Sequence, residues 1–170
     1  MSGEQAKDLK KLCKEALSDG AKEAKVIAAA SIKTAEWVRA KCRFGCGCHR
    51  RVWTCPPHSP TPEETRRIID GYEAAILIRC DSGATRTARK LERSAFLAGY
   101  YKAWAMGSGP CSLCKECALP KPCKHPDKAR PALEACGVDV FETVRANGMS
   151  IEVVSSHDEK PSYFGVVLIE

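Results

Sequence analysis

Aromatic residues are scarce in this chain, at 6% of 170 residues. A surface that binds single-stranded nucleic acid needs aromatic side chains interleaved with basic ones as stacking platforms, and no such interleaving occurs here. The net charge of +6 and pI of about 8.8 therefore read as a basic, solvated surface suited to acidic partners, with nucleic acid disfavoured. No apolar run approaches the roughly 20 residues needed to span a bilayer, so no membrane association is expected. The opening stretch MSGEQAKDLKKLCKEALSDGAKEAK is charged throughout and lacks the apolar segment of a secretory signal. A cytoplasmic location is the resulting expectation. Phosphate-binding loops, dinucleotide fingerprints and a Ser-His-Asp set are also missing, which removes the chemistries those motifs carry. Internal repeats and low-complexity segments are absent as well.

What the chain has in excess is cysteine, with 11 residues. An odd number without an export signal argues against a disulfide scaffold and for metal ligation or redox chemistry. The remaining composition, 44% hydrophobic and 28% charged, suits one globular domain over residues 1–170.

Eight of the thiols fall into two groups. The segment GPCSLCKECALPKPCKHP holds Cys111, Cys114, Cys117 and Cys123 in a C-x2-C-x2-C-x5-C run. Its first three spacings are those of bacterial ferredoxin loops. A thiolate every third residue lets a loop wrap a cubane with iron at several corners, whereas one tetrahedral zinc usually draws paired knuckles from separate segments. The last gap is longer than the three residues of ferredoxins, and Pro120 and Pro122 stiffen it. In ferredoxins with two clusters the fourth cysteine serves the other cluster, so Cys123 belongs to either site on spacing alone.

The segment CRFGCGCHRRVWTCPP holds Cys42, Cys46, Cys48 and Cys55, with Gly45 and Gly47 allowing tight turns. A Cys-Pro ending echoes the ferredoxin motif. The spacing departs by one residue from the C-x3-C-x2-C loop of radical enzymes that bind S-adenosylmethionine, and the chain is short for their barrel. Cys48 is either a ligand or a bystander, with His49 as the alternative. Arg50 and Arg51 place positive charge beside the group, which would raise a cluster's potential and favour an acidic redox partner. Cys13, Cys80 and Cys136 stand apart as structural thiols.

Periodicity predicts a helix over about 4–17 with Leu9, Leu12 and Cys13 on one face, and a buried strand at 24–32. A helix starts at the Thr61-Pro62 pair, and AAILIRC (74–80) reads as a strand. A long helix is expected over 85–106, and a short one from Pro131 to Gly137. Another follows, capped by Asp139 and Glu142 and stopped at Asn147-Gly148. SIEVVSS and YFGVVLIE read as two strands joined by the polar turn HDEKPS. The fold class is α+β or α/β, with one mixed sheet packed by helices and the metal carried on cysteine-rich loops.

The order of CPPHSPTPEE, LERSAFLAGYYKA, CSLCKECALPKPCKHP and ARPALEACGVDVFETVRANG resembles a family of predicted metal-binding, iron–sulfur proteins of anaerobic archaea and bacteria with two cysteine clusters. The likeness covers nearly the whole chain after about Ala24. Cys42, Cys46 and Cys55 match its first group; Cys111, Cys114, Cys117 and Cys123 match its second. Where the family places Tyr-Gly this chain has His49-Arg50, and Cys48 lies outside the shared pattern. The resemblance implies a metal protein of anaerobic metabolism, sometimes beside corrinoid-dependent methyl transfer, with no reaction attached.

The leading expectation is an iron–sulfur protein with one or two [4Fe–4S] clusters that exchanges electrons with a partner. An enzyme or assembly factor with an open-site or bridged cluster is the second, with His49, His58 and His125 at hand as proton carriers. A zinc-stabilised interaction module is the third.

Overall fold

The structure, a computed structural model, describes residues 3–156 and 158–170. Chain order runs α1 (Gly3–Ser18), β1 (Glu23–Ala28), α2 (Glu36–Gly45), α3 (Pro62–Ile69), β2 (Ala74–Cys80), α4 (Ala84–Leu97), β3 (Trp104–Met106), α5 (Val140–Ala146) and β4 (Tyr163–Leu168), with 3-10 turns at Ala29–Ser31 and Glu134–Cys136. The strands form a four-stranded sheet in the order β1-β2-β4-β3. Every strand pairing is antiparallel, so the fold is α+β and the expected mixture of strand directions does not occur.

Alternation along β2 sends side chains into two cores. Ile76 and Ile78 pack with Leu9 and Leu12 of α1 and Leu91 and Ala95 of α4. On the other face, Leu77 packs with Ile32, Ile69, Leu133, Val138 and Val144. Burial on both faces explains why β2 reads as a continuous apolar run instead of an alternating one. The cysteine segments sit in the connections, outside both cores.

Local signals place several elements where the sequence predicts them. Thr61 accepts from the Glu64 N–H at 3.2 Å while Glu64 returns a bond to the Thr61 N–H at 2.8 Å, a reciprocal capping box with Pro62 just inside. Asp139 caps α5 through the Glu142 N–H at 3.0 Å. Elsewhere tertiary context overrides pattern. The helix expected to reach Met106 ends at Leu97, because Gly99 turns the chain left-handed (φ +103°) and releases Trp104–Met106 to pair with β4. The strand at 24–32 stops at Ala28, and the segment after Pro131 shrinks to one 3-10 turn. α2 is a helix where the sequence reading assigned no element.

The SIEVVSS strand is not formed. β4 is already flanked by β2 and β3, so the segment has no free edge of that strand to join. Ile151 tucks into the second core, while Val153 is left 69% exposed. Of the expected HDEKPS turn, His157 lies outside the described residues. No helix among the described residues is long and apolar enough to cross a membrane.

Candidate metal centre

The first cysteine loop is delivered by α2. Cys42 sits in its last turn and Cys46 is its C-cap, in extended conformation. A chain of turns follows: the His49 N–H donates to Cys46 O at 3.2 Å, Arg51 N–H to Cys48 O at 3.1 Å, and Cys55 N–H to Val52 O at 3.0 Å. Arg50 takes a left-handed conformation (φ 63°), and its N–H reaches across the loop to Pro56 O at 2.8 Å. Arg39 ties the loop down from α2: its Nη1 donates to Pro60 O at 2.7 Å, Ala135 O at 2.8 Å, and more weakly to Ser59. The buried Ser59 hydroxyl donates to Ala135 O at 2.6 Å. The loop is thereby fixed to the 3-10 turn at Glu134–Cys136. Gly137 ends that turn at φ +75°, and a Cβ there would meet Pro62 Cγ at 2.4 Å.

The second loop leaves the sheet at the end of β3, and the chain comes back beside Gly107 running parallel to it. Its neck closes where Gly107 N–H donates to Pro131 O at 2.8 Å and Leu133 N–H donates to Gly107 O at 2.9 Å. A Cβ on Gly107 would stand 2.2 Å from Thr85 Oγ1 and 2.6 Å from Thr85 Cα, so only glycine fits this close approach to α4. Thr85 also exchanges hydrogen bonds with Ser108, donating to its O at 2.9 Å and accepting from its N–H at 3.0 Å. Just before the neck, Arg130 makes a two-pronged ion pair with Glu92, at 2.7 and 2.6 Å, with side chains 18% and 12% exposed.

The two loops meet. The Trp53 indole donates to Lys121 O at 2.9 Å, and the Trp53 ring lies against His58 with centroids 4.6 Å apart. A cavity of about 240 Å³ opens between them, and all four thiols of the second group line it. Cys48 joins them from the first loop. Arg51, Lys115, Lys124 and His125 also border this cavity. Cys42 and Cys46 front a different space, an open apolar groove of about 760 Å³ with Trp37, Phe44 and Phe141 in its walls. Cys55 is 7% exposed beneath the first loop. Neither cavity includes His49, and His58 lies in a separate cleft beside Pro60 and Glu64. Among the described residues, no three His, Cys, Asp or Glu side chains stand together as a ready set for a single metal ion.

Burial and neighbouring groups set different proton affinities in the two loops. Desolvation pushes the Cys55 thiol up to about 11, reinforced by Cys48, Cys46 and Cys42 nearby and opposed by the Thr54 hydroxyl. Cys42 is also raised, by burial first and then by Cys46, with Arg39 pulling the other way. Cys117 in the second loop is lowered: some desolvation opposes, but the N–H groups of Leu119, Trp53 and Ala118 together favour its thiolate. Backbone N–H groups near a sulfur, one of them from the other loop, favour the thiolate form that a metal requires. Thr54, which lines the shared cavity, has a buried hydroxyl whose nearest acceptor is the Cys55 thiol, at poor hydrogen-bond geometry. The donor set and the cavity thus fit a thiolate-held metal group.

The other thiols are structural. Cys80 and Cys136 are fully buried in the two cores, and burial holds the Cys136 thiol up at about 12. Cys13 packs against the first core from α1. Two residues absent from the sequence reading organise the site: Arg39, a bonding hub under the first loop, and Trp53, the clamp between loops. Only the Trp within the cysteine segment offered any signal, because an indole there needs an acceptor for its N–H.

A family model described as predicted metal-binding protein (DUF2284) matches residues 25–169, and the chain belongs to that family. The match spans both cysteine loops and the sheet that carries them. No curated protein and no solved structure matches the chain.

Proposed function

We propose that this metal-binding protein is an iron–sulfur protein that carries one or two [4Fe–4S] clusters on its cysteine loops and passes electrons to or from a partner protein in the cytoplasm. The observation that carries the reading is the cavity between the loops. Its thiols are distributed around the walls of one space, an arrangement that suits a cubane with separate iron corners. Cys111, Cys114, Cys117 and Cys123 all face that one space, which supports a complete set from the second loop despite its long last gap. Bound there, a cluster supplies one-electron chemistry. The chain's own contribution is electrostatic: Arg51, Lys115 and Lys124 offset the negative charge of four thiolates, and the N–H groups at Cys117 do the same at short range.

The surface beside the first loop suits a docking partner. Phe44 is 82% exposed, with Arg43 stacked on its ring at 5.2 Å, and Lys41 lies over Trp37 at 5.0 Å. An apolar patch rimmed by cations favours an acidic partner with an apolar anchor. Membership of an anaerobic pathway, with a corrinoid or methyl-transfer system as the partner's setting, extends the same proposal.

A second reading has its own support. Cys42 and Cys46 border a groove large enough for a small molecule, so the first loop could present an open iron site to a ligand, as an enzyme or assembly factor would.

Anaerobic purification with iron, sulfide and zinc analysis tests these readings. The proposal expects a broad absorbance near about 400 nm that bleaches on reduction, with iron and sulfide in equal amounts. A colourless, redox-silent protein with zinc alone would overturn it and leave the zinc-stabilised interaction module. A spectral change when a small ligand meets the reduced protein would favour the open-site reading.

A further inference from the structure

Cys48 lies two residues after Cys46 and seven before Cys55, so spacing enrols it in the first group. The fold directs it elsewhere. The loop turns after Cys46, with the His49 N–H bonded back to Cys46 O and the Arg51 N–H bonded to Cys48 O. Left-handed Arg50 then carries the chain towards Pro56. The turn places Cys48 on the wall of the inter-loop cavity with Cys111, Cys114, Cys117 and Cys123. Cys42 and Cys46 instead border the apolar groove on the α2 side, while Cys55 lines neither space and has Cys48 as its most strongly acting thiol neighbour. Trp53, later in the same loop, holds this arrangement by its indole bond to Lys121 O.

We propose that Cys48 is a thiol of the second centre, crossing over from the first loop, and that Cys42, Cys46 and Cys55 are the thiols left to the first loop. Two consequences follow. The second centre has five thiols for four ligand positions, so Cys48 either replaces one or bonds to the group's sulfur from the wall. The first loop is left with three thiols, of which Cys42 and Cys46 border the apolar groove. The inference rests on both loops holding metal, whatever the metal is.

The test uses protection from alkylation, which does not depend on activity or on iron. The anaerobically purified, metal-loaded protein is treated with iodoacetamide, and each cysteine is read by peptide mass spectrometry. Three proteins are compared: the unmodified chain, a Cys42→Ser/Cys46→Ser variant and a Cys111→Ser/Cys114→Ser variant. Cys48 is expected to stay protected when the first pair is removed. Removing the second pair should speed its alkylation on the order of tenfold or more, as an unliganded and accessible thiol gains reactivity. Cys55 should show the opposite pattern, an internal control that the untouched loop remains folded. Deprotection of Cys48 by the first pair, by both pairs or by neither would overturn the assignment. If the Cys111→Ser/Cys114→Ser variant unfolds, Cys48→Ala decides in its place. The expected result is Cys117 and Cys123 alkylated faster while Cys42 and Cys46 are unchanged; the reverse, or no change, overturns it. A zinc protein would sink the iron–sulfur proposal yet still return one of these patterns.

Discussion

The first cysteine loop is bonded to the core at its far end, from Thr54 to Pro60, whereas the second touches the core mainly at its neck. Arg39 and Ser59 tie the first loop to the turn at Glu134–Cys136, and Cys55 is buried beneath it. The second loop is exposed or half-buried from Cys111 to Lys128, anchored by Gly107 at one end and Arg130 at the other. The contrast separates two ways of presenting thiolates. At the packed end of the first loop the fold sets the position of Cys55, and burial makes that thiol hold its proton tightly. An exposed loop sets its sulfur positions by its own backbone, through N–H groups, the stiff Pro120 and Pro122, and whatever it binds.

The largest effect should come from emptying one loop. Replacing Cys114 and Cys117 together with serine should remove the metal of the second centre while the sheet and both cores persist. Metal analysis and circular dichroism would check this; global unfolding would show the loops to be equally structural. Next, Arg130→Ala leaves Glu92 with an uncompensated charge at a largely covered site. A loss of about 3 kcal/mol in urea unfolding is expected, typical of breaking one side of a buried pair. A loss near zero would show that the neck does not depend on that pair.

Smaller, and sharper as a comparison, is a pair of glycine substitutions. Gly107→Ala and Gly137→Ala each force a Cβ into a neighbour, Thr85 and Pro62 respectively. Overpacking costs of about 1–3 kcal/mol are expected for both. Gly107→Ala should in addition weaken metal retention in the second loop, and Gly137→Ala in the first; a swapped pattern would break the assignment of anchors. The smallest effect is the pH dependence of loading. Metal binds thiolate, so each thiol still protonated contributes about a tenfold gain in affinity per pH unit until its own pKa is passed. Cys55, raised to about 11, keeps contributing across the whole neutral to alkaline range. Cys117, lowered, stops earlier. Competition against a chelator should therefore show second-loop affinity levelling off at lower pH than first-loop affinity.

Much of the scaffold is legible because its signals are local. The Thr61-Pro62 cap, the Asp139 cap and the apolar run of β2 need only neighbours in sequence to be read. β3 is not legible. Its Trp-Ala-Met sits where helical periodicity continues, and only pairing with β4, some sixty residues on, makes it a strand. Val153 and Val154 show the converse, strand-like residues that no strand edge receives. At the site, spacing picks out which thiols group together in sequence. It does not reveal that Cys48 lines the cavity shared with the other loop, because a two-residue separation says nothing about the turn that follows Cys46. Arg39 and Trp53 are equally hidden, since each acts on backbone carbonyls far along the chain.

The position of β4 has a consequence for how the protein is made. It is the inner strand that joins β3 to the rest of the sheet, yet it is the last strand to leave the ribosome. At synthesis rates of about 5–20 residues per second, both cysteine loops exist for several seconds before the neck of the second loop has its strand to lean on. During that interval the thiols are nascent, accessible and not yet arranged. Cellular delivery of metal must either wait for residues 163–168 or act on a chain whose two halves have not yet been sewn together.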